Sequence, residues 1–288
     1  MKAGKIAREA LDLGVEECEP GVTYFDLSEK IEEYIYDKGA KMAFPVNISV
    51  DEIGAHYTPY PDDGKVFKKG DVVKVDVGCH IDGYIADNAM TKELGTSKHD
   101  GLIKAAEEGL DIAMKTLRPG MKSGDIGKNI ESIIRSRGYR PIENLTGHEV
   151  SKYSLHSGTS IPNVSRGRDR IKTGMVLAIE PFATNGKGRV KDWKKSEIYR
   201  LLEPRNLKGD DLEFYNWIKE EFDRLPFASH WCSDYSSDYK KKLNRLKRFG
   251  TVMDYPVLIE EKKGLVSQRE HTAIVTSSGA KITTEARR

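Results

Sequence analysis

Two aspartates stand on neighbouring strand-like segments and could share one binding site. Asp76 lies in the segment Val72–Cys79, and Asp87 lies in the segment Tyr84–Thr91. The Asp-Gly pair at positions 82 and 83, between the segments, is typical of a tight hairpin turn. A two-residue loop would place Asp87 diagonal to Asp76, and a four-residue loop would place the two directly opposite each other. Both registers put the carboxylates on one face of the sheet, whereas a three-residue loop would separate them.

Two carboxylates this close repel each other, and the pKa of one of them rises unless a cation lies between them. Carboxylate oxygens are ligands that divalent metal ions prefer. A pair of solvent-exposed aspartates is the simpler alternative, and for these two residues alone the sequence favours it. Further residues along the chain reverse that preference.

Four more candidate residues follow the hairpin. His148 and His156 stand eight residues apart in a strand-and-loop setting, and Glu180 and Glu270 each lie in an apolar strand-like segment. These segments are Met175–Phe182 and Leu265–Val275. An acid inside an apolar strand costs free energy to bury unless it is paired or bound to a metal. Each residue alone could be a satisfied core or edge residue, but together with the aspartates they supply the ligands of a two-metal hydrolase.

A duplication in the sequence indicates how these residues are positioned. At an offset of 99 residues, Pro20–Gly39 aligns without a gap with Pro119–Gly138, and seven of the twenty pairs are identical. Convergence of two amphipathic helices is the alternative, but the unchanged offset across two successive helices favours duplication. Each half then has two helices followed by strands. This pattern predicts an α+β fold with pseudo-twofold symmetry and a site between the halves.

The helices of each half have recognisable ends. The first helices are predicted over Lys2–Leu13 and His99–Leu117. The second helices begin near Asp26 and Asp125, whose carboxylates can cap them, and end at Gly39 and Gly138. Isoleucines four residues apart on each second helix predict a buried face.

These residues and the motifs around them resemble the type II methionine aminopeptidases of archaeal type, which are metallopeptidases with the pita-bread fold. The resemblance covers essentially the whole chain, and the order and spacing of the motifs make it specific. The motifs are Phe44-Pro45, Ala55–Pro59, Asp76–Gly78, His80–Asp87, Gly147-His148, His156–Gly158, Ile161–Asn163, Ala178–Phe182 and Glu270–Thr272.

The resemblance implies a centre of two divalent metal ions. Asp87 and Glu270 would bridge the ions, Asp76 would chelate one of them, and His148 with Glu180 would hold the other. Oxygen and nitrogen ligands accept cobalt, manganese, iron or zinc, so the sequence does not identify the metal. A metal-bridging hydroxide would attack the first peptide carbonyl of the substrate.

The same resemblance implies removal of the N-terminal methionine from nascent proteins and peptides that have a small second residue. Glu180 matches the residue that shuttles the proton. His56 and His156 match histidines that contact the substrate amide and steady the tetrahedral intermediate. An apolar, aromatic-lined slot suits the unbranched thioether of methionine. The implied substrate-binding residues are Phe44, His56, Leu155, His156 and Tyr255.

Two positions depart from the usual pattern of this family. Arg269 stands where an aromatic residue commonly precedes the bridging acid, and Asn88 stands where a hydroxyl residue commonly follows Asp87. Neither is a ligand, so activity is still expected, and their effect on the pocket is left open.

The segment 191–249 is predicted to be a helical subdomain inserted into a single catalytic domain, 1–288. All three tryptophans lie in it, and helices are expected around Leu212–Leu225 and Tyr239–Phe249. Type II members of the family carry a helical insertion at this place. Its basic run KKKLNRLKRF predicts either a solvated helix face, which we favour, or a surface for transient association with the ribosome.

The composition of the chain argues against several other classes of protein. Its 47 Lys and Arg against 45 Asp and Glu leave a net charge of +2, which argues against a dedicated nucleic-acid binder. The apolar runs are far shorter than the ~20 residues of a membrane span. The 3 cysteines make no disulfide framework. We therefore expect a cytoplasmic protein that uses no membrane, and the family suggests a monomer.

Two alternatives stay open at the level of the sequence. A pita-bread peptidase that cleaves beside proline would share the fold and the ligands, but the insertion and the stretch His156–Asn163 favour the methionine enzyme. A non-catalytic pita-bread protein that binds ribosomes or RNA would typically lack metal ligands, and all five stand in this chain.

Overall fold

The computed structural model describes residues 1–194, 197–204 and 206–285. The α-helices in these residues are α1 Lys2–Glu17, α2 Tyr24–Asp37, α3 Asp100–Thr116, α4 Ser123–Ser136, α5 Gly209–Phe222 and α6 Tyr239–Arg248. A 3₁₀ helix, Ser229–Asp234, precedes α6. Within the described part of the chain, no helix has the length and apolar character needed to cross a bilayer.

The strands are mostly short. They are β1 Lys41–Met42, β2 Asn47–Val50, β3 Ile53–Ala55, β4 Val72–Ile81, β5 Tyr84–Glu93, β6 Arg140–Pro141, β7 Thr146–Ser151, β8 Ser154–Pro162, β9 Val176–Ile179, β10 Phe182–Thr184, β11 Val190–Lys194, β12 Ile198–Leu201, β13 Phe227–Ala228, β14 Val252–Asp254, β15 Val257–Glu260, β16 Val266–Gln268, β17 His271–Val275 and β18 Ala280–Ile282. One sheet has the order β1-β4-β2 with β5 also on β4, and another has the order β18-β17-β9-β7-β8. Three smaller sheets have the orders β16-β10-β6, β11-β15-β3 and β13-β12-β14.

The two halves repeat the same elements at the predicted offset. Helices α2 and α4 begin and end 99 residues apart, and so do strands β1 and β6. Both helices end in a Schellman motif, with Gly39 at φ 73° and Gly138 at φ 81°. A left-handed backbone at this position favours glycine, which has no Cβ. The predicted α+β fold with an internal pseudo-twofold repeat is confirmed.

The caps at the start of these helices differ between the halves. At α2 the hydroxyl of Thr23 accepts a hydrogen bond from the N–H of Asp26 at 3.0 Å. At α4 the carboxylate of Asp125 accepts one from the N–H of Lys122 at 3.0 Å. The predicted carboxylate cap is therefore seen at α4, whereas at α2 the bond runs the other way, from the N–H of Asp26 to a threonine hydroxyl at the N-cap.

Each half has its own hydrophobic core. Helices α1 and α2 pack on the sheet of β4 and β5, where Leu11 and Ile31 are fully buried. Helices α3 and α4 pack on strands of the second half, where Ile134 and Leu177 are fully buried. The helices thus lie on the outside of each half, and strands β4 and β5 of the first half contact strands β16 and β17 of the second half.

The inner strands meet along a seam between β5 and the β16–β17 region. The hydroxyl of Thr272 accepts from the N–H of Asp87 and donates to the carbonyl oxygen of Asp87, both at 2.8 Å. The hydroxyl of Thr91 makes the same pair of bonds with the backbone of Gln268, at 2.7 and 2.8 Å. At the junction of the halves the strands do not pair as a regular ladder. The hydroxyls of the two threonines form the hydrogen bonds that these backbone groups would otherwise lack.

The predicted inserted segment, 191–249, contains a small core of its own. Phe214, Ile218 and Leu246 are fully buried in it, on α5 and α6. Strand β11, however, pairs with β15, which lies outside the segment. The division into a catalytic domain and an inserted subdomain therefore stays a prediction. Positions 195, 196 and 205 of the segment lie outside the described residues.

The basic run on α6 is partly held against α5. Nζ of Lys242 lies 2.5 Å from both carboxylate oxygens of Asp210, and Nε of Arg245 lies 2.7 Å from Oδ1 of Asp211. The Lys242 side chain is 8% exposed. The predicted solvated face is therefore wrong for Lys242, whereas the two lysines before it are exposed.

Removing the seam hydroxyl should weaken the fold. We expect Thr272→Val to lower the free energy of unfolding by about 1–3 kcal/mol, because the backbone of Asp87 loses a buried partner while the side-chain volume is kept. Urea denaturation of metal-free protein, followed by tryptophan fluorescence, measures the change. Thr272→Ser keeps the hydroxyl and should stay close to the parent. An unchanged midpoint for the valine variant would mean that the seam adds no stability.

Candidate metal centre

The hairpin turn decides how the two aspartates meet. Asp82 and Gly83 have φ values of 51° and 82°, as a type I′ turn requires, and the loop between β4 and β5 has two residues. In this register Asp87 lies opposite Gly78, and Asp76 lies diagonally across from it. The two-residue alternative is therefore correct, and both aspartates line the same cavity.

Glu180 and Glu270 lie where two predicted strands are interrupted. The segment 175–182 divides into β9 and β10 around Glu180 and Pro181, and the segment 265–275 divides into β16 and β17 before and after Glu270. The expectation of uninterrupted strands is wrong, because Pro181 has no N–H to continue a ladder. Since β9 pairs with β17 and β10 pairs with β16, the two interruptions lie side by side. Both glutamates line the cavity of the aspartates.

His148 on β7 completes a compact group of ligand atoms. Its Nε2 lies 3.5 Å from Oδ2 of Asp87 and 4.0 Å from Oε1 of Glu180. One ligand atom each from Asp87, His148 and Glu270 lie within 4.8 Å of one another, and all three residues are buried. This spacing suits side chains that share a metal ion, whose bonds are about 2 Å long.

The acidic group carries more negative charge than its surroundings neutralise. One carboxylate oxygen each of Asp76, Asp87 and Glu270 is buried with no hydrogen-bond partner among the described residues. Burial, and next the charge of Asp87, raises the pKa of Asp76 and of Glu270 well above the ordinary range. Burial and the charge of Asp76 do the same to the pKa of Glu180. A bound cation would remove both penalties, so this donor set fits a divalent metal ion.

Gln268, which the sequence analysis did not single out, contacts three of these carboxylates. Its side-chain Nε2 lies 3.2 Å from Asp76, 3.2 Å from Glu180 and 3.3 Å from Glu270. The nitrogen has two hydrogens, so it donates to two of the three carboxylates at a time. Gln268 stands two residues before Glu270. Residues two apart in an extended segment lie on the same face, so this spacing could have indicated from the sequence that Gln268 belongs to the site.

All of the site residues predicted from the sequence line one cavity of about 300 Å³. They are Phe44, His56, Asp76, Asp87, His148, Leu155, His156, Glu180, Tyr255 and Glu270. Sequence reasoning missed several apolar residues of the wall, which are Leu145, Phe182, Ile198, Pro226 and Leu258. A charged group beside an apolar wall is the usual composition of a small-molecule site. The individual roles of these residues stay predictions.

Tyr255 stands beside two histidines of the cavity. The ring of His56 meets it edge-on at 5.4 Å, and the ring of His156 lies 6.2 Å away. His156 also lies 4.4 Å from the ring of His148. Burial, and next His148, lowers the pKa of His156 to about 3, and burial lowers the pKa of His56. Both rings are therefore neutral at pH 7.

The backbone and the hydrogen bond of His56 fix its ring. Its φ of 65° is in the left-handed region, which costs a non-glycine residue about 1–3 kcal/mol when the surrounding structure enforces it. Its Nδ1 lies 3.3 Å from the carbonyl oxygen of Pro256. Because a carbonyl oxygen only accepts, Nδ1 carries the proton and Nε2 is the acceptor of the neutral ring.

The two departures from the family pattern lie away from the cavity wall. The wall includes the ring of Phe44, which packs over Gly78, where an added Cβ would lie 2.1 Å from the ring. Asn88 donates to two backbone carbonyls, at 2.8 Å on β4 and at 3.2 Å on α1. The residues that line the cavity include neither Asn88 nor Arg269.

Comparison with known proteins identifies the family. The profile of metallopeptidase family M24 matches residues 1–213. The chain belongs to this family. Within it, a protein named methionine aminopeptidase from Thermococcus onnurineus is 44% identical over 99% of this chain and 98% of its own length. The predicted resemblance to the archaeal type II methionine aminopeptidases is confirmed.

Solved structures share the fold. A thermophilic Arx1 covers 100% of this chain and 90% of its own, with a TM-score of 0.89 and 18% identity. The methionine aminopeptidase of Rickettsia prowazekii covers 98% and 94%, with a TM-score of 0.72 and 24% identity. At these identities the likeness concerns the fold alone, and the predicted pita-bread fold is confirmed.

Removing the Gln268 amide should weaken metal binding. Gln268→Met keeps the length of the side chain, but the three carboxylates lose the donor that orients them. We expect the affinity for Mn²⁺, measured by isothermal titration calorimetry, to fall about 10–100-fold. Ser267→Ala is the matched control, because the neighbouring Ser267 hydroxyl donates to the carbonyl oxygen of Leu102. Equal affinities of Gln268→Met and the parent would contradict the orienting role.

Proposed function

We propose that the chain is a methionyl aminopeptidase, which removes the N-terminal methionine from nascent proteins and peptides whose second residue is small. The observation that carries this proposal is the junction of a carboxylate-rich group and an apolar wall in one cavity of about 300 Å³. Membership of a metallopeptidase family and relatives of this name over nearly the whole chain support it.

Two divalent ions are proposed for the centre. The residues that would hold them are Asp76, Asp87, His148, Glu180 and Glu270. Bound ions of this kind polarise a carbonyl oxygen and lower the pKa of water. Cobalt, manganese, iron and zinc all suit this donor set. The buried carboxylate oxygens without partners support the presence of more than one positive charge.

Three side chains of the cavity would handle protons and hydrogen bonds. Glu180, 14% exposed, has a pKa raised by burial and by its acidic neighbours, so it would accept a proton from water and return it to the leaving amine. The neutral ring of His156 would donate to the carbonyl oxygen as negative charge develops there. Nε2 of His56 would accept a hydrogen bond from the substrate amide.

The shape of the wall would select the substrate. Phe44, Leu155 and Tyr255 present apolar and aromatic surface, which suits the flexible thioether of methionine. A bulky second residue would push the scissile carbonyl away from His156 and the acidic group. A displacement of ~1 Å can cost ~100-fold in rate, so glycine or alanine would be favoured at the second position.

The compartment, the oligomeric state and the ribosome contact of the protein are proposed from its resemblance to the family. The protein would act in the cytoplasm as a monomer, with 191–249 as an inserted subdomain of the catalytic domain. Contact with the ribosome would be transient and would use Lys240 and Lys241. Both are exposed, whereas Lys242 is engaged with Asp210.

Cleavage of a panel of Met-X-Ser peptides tests the proposed function, with X running from Gly and Ala to Lys and Trp. Chelator-treated protein should lose activity and regain it with Mn²⁺ or Co²⁺, and Asp87→Ala should stay inactive. Met-Ala-Ser should be cleaved about 100-fold faster than Met-Lys-Ser. Full activity without metal, equal rates for these two peptides, or faster cleavage of Pro-Ala-Ser would reject the assignment.

Glu180 and His156 should affect turnover more than binding. Glu180→Gln keeps the shape and removes the proton acceptor, so kcat should fall far more than the affinity for a Met-Ala-Ser substrate. His156→Ala should lower kcat about 10²–10³-fold, which is the effect of one donor to a developing oxyanion. Steady-state kinetics of the metal-loaded variants measure both. Values of kcat within twofold of the parent would contradict these roles.

A further inference from the structure

A second cavity, of about 630 Å³, lies between α2 and the inserted segment and shares no lining residue with the metal centre. Its walls come from α2, α5, the 3₁₀ helix and the start of α6. We call it the aromatic–acidic cavity, after lining residues that include Phe25, Glu32, Tyr36, Trp217, Glu221 and Trp231.

Aromatic rings in fixed mutual positions form much of this wall. Phe222 lies 5.7 Å from Trp231 and meets Trp217 edge-on at 5.8 Å. Phe25 meets the ring of His230 edge-on at 5.7 Å. Burial lowers the pKa of His230 to about 4, so this ring adds no positive charge at neutral pH. Electron-rich ring faces of this kind attract organic cations.

Four acids also line the cavity, and no described lysine or arginine does. They are Glu29, Glu32, Glu221 and Asp234. None of them forms an ion pair with another described residue, whereas Asp210, Asp211, Asp238 and Asp254 of the same region are all paired with basic residues of α6. Among the described residues these four acids therefore have no ion-pair partner, although Lys240 lies close by, with its Nζ 5.8 Å from the ring of Tyr239.

Glu32 is the most deeply placed of these acids. It is 6% exposed, and the indole N–H of Trp231 donates to it at 3.0 Å. Burial, and next the charge of Glu29, raises its pKa to about 8. At neutral pH most of the Glu32 side chains are therefore protonated, and a cation bound beside this residue would favour its ionised form.

The internal repeat indicates that the fold does not require this surface. Glu29 and Tyr36 on α2 correspond, at the offset of 99, to Lys128 and Arg135 on α4. The two helices have the same length and the same buried isoleucine face. Glu32 is repeated as Glu131, so what distinguishes α2 from α4 is the acid at position 29 and the aromatic ring at position 36.

The acidic surface continues beyond the cavity. A neighbouring cavity of about 350 Å³ shares Glu221 and Phe222 with it and adds Glu220, Asp223 and Asp82, together with Lys41. The combined surface is longer than one cationic group needs. An occupant with several positive charges in a row fits it better than a single small cation.

We propose that the aromatic–acidic cavity binds a lysine or arginine side chain of a basic protein segment, whose neighbouring charges lie along the acids of the adjoining cavity. Cation–π contact with Trp217 and Trp231 and the exposed carboxylates of Glu221 and Asp234 would hold the first side chain. This proposal concerns a partner protein and is separate from peptide hydrolysis at the metal centre.

Fluorescence anisotropy with an N-acetylated peptide of alternating lysine and glycine tests the proposal, since the blocked terminus keeps the peptide from being a substrate. The double variant Glu221→Gln and Asp234→Asn changes two exposed acids of the cavity. It should bind about tenfold more weakly than the parent, the size of a 1.4 kcal/mol change. The control variant, Glu203→Gln and Glu213→Gln, removes the same charge elsewhere on the inserted segment and should bind like the parent.

Three outcomes would overturn the proposal. The lysine–glycine peptide does not bind to the parent protein, or an analogue with glutamine in place of lysine binds equally well. The third outcome is an equal loss of binding in the control variant, which would mean that the peptide is held by general charge attraction. Displacement of the peptide by spermidine at a concentration below the dissociation constant of the peptide would assign the site to a free polyamine. Cleavage of Met-Ala-Ser should be the same in all variants, so a failure of the binding test is distinct from a failure of the proposed enzyme function.

Discussion

Four acidic side chains held together in one cavity are the constraint on which the rest of the structure depends. Burial and mutual repulsion raise the pKa values of Asp76, Glu180 and Glu270, so without a cation this arrangement opposes folding. The type I′ turn, the interrupted strands and the amide of Gln268 hold the carboxylates in place all the same. A site that is strained when empty and relieved by divalent ions couples metal binding to the stability of the fold.

The duplication explains why the acids converge from distant parts of the chain. The first half supplies the aspartate hairpin, the second supplies His148 and Glu180, and Glu270 arrives after the inserted segment. Neither half has the full set of predicted ligands. The threonine seam joins the halves at the backbone of Asp87 and of Gln268, next to the acidic group, so the stability of the interface and the arrangement of the acids depend on the same hydrogen bonds.

The predicted inserted segment, 191–249, has two different relations to the rest of the molecule. Ile198 and Pro226 from it line the catalytic cavity, so it contributes to the proposed methionine pocket. On the side of α2 it closes a second cavity, whose acids have no ion-pair partners among the described residues. Between α5 and α6, by contrast, acids and bases are matched. The surface between α5 and α6 therefore has its charges paired within the segment. The surface toward α2 has acids without ion-pair partners among the described residues, and we propose that it binds a cationic partner.

The sequence by itself determined that Asp76 and Asp87 share a face, because side chains alternate along a strand and both even loop lengths keep that parity. It also determined the repeat and the family, and it predicted the ligand residues, because residue types and their spacing can be read directly from the chain. Tertiary structure decided the rest: the interruption of the strands at the glutamates, the contact of Gln268 with three carboxylates, and the burial of Lys242 against Asp210. The contacts of Gln268 and Lys242 depend on partners far away in sequence, and local periodicity carries no information about which distant charge a side chain will meet.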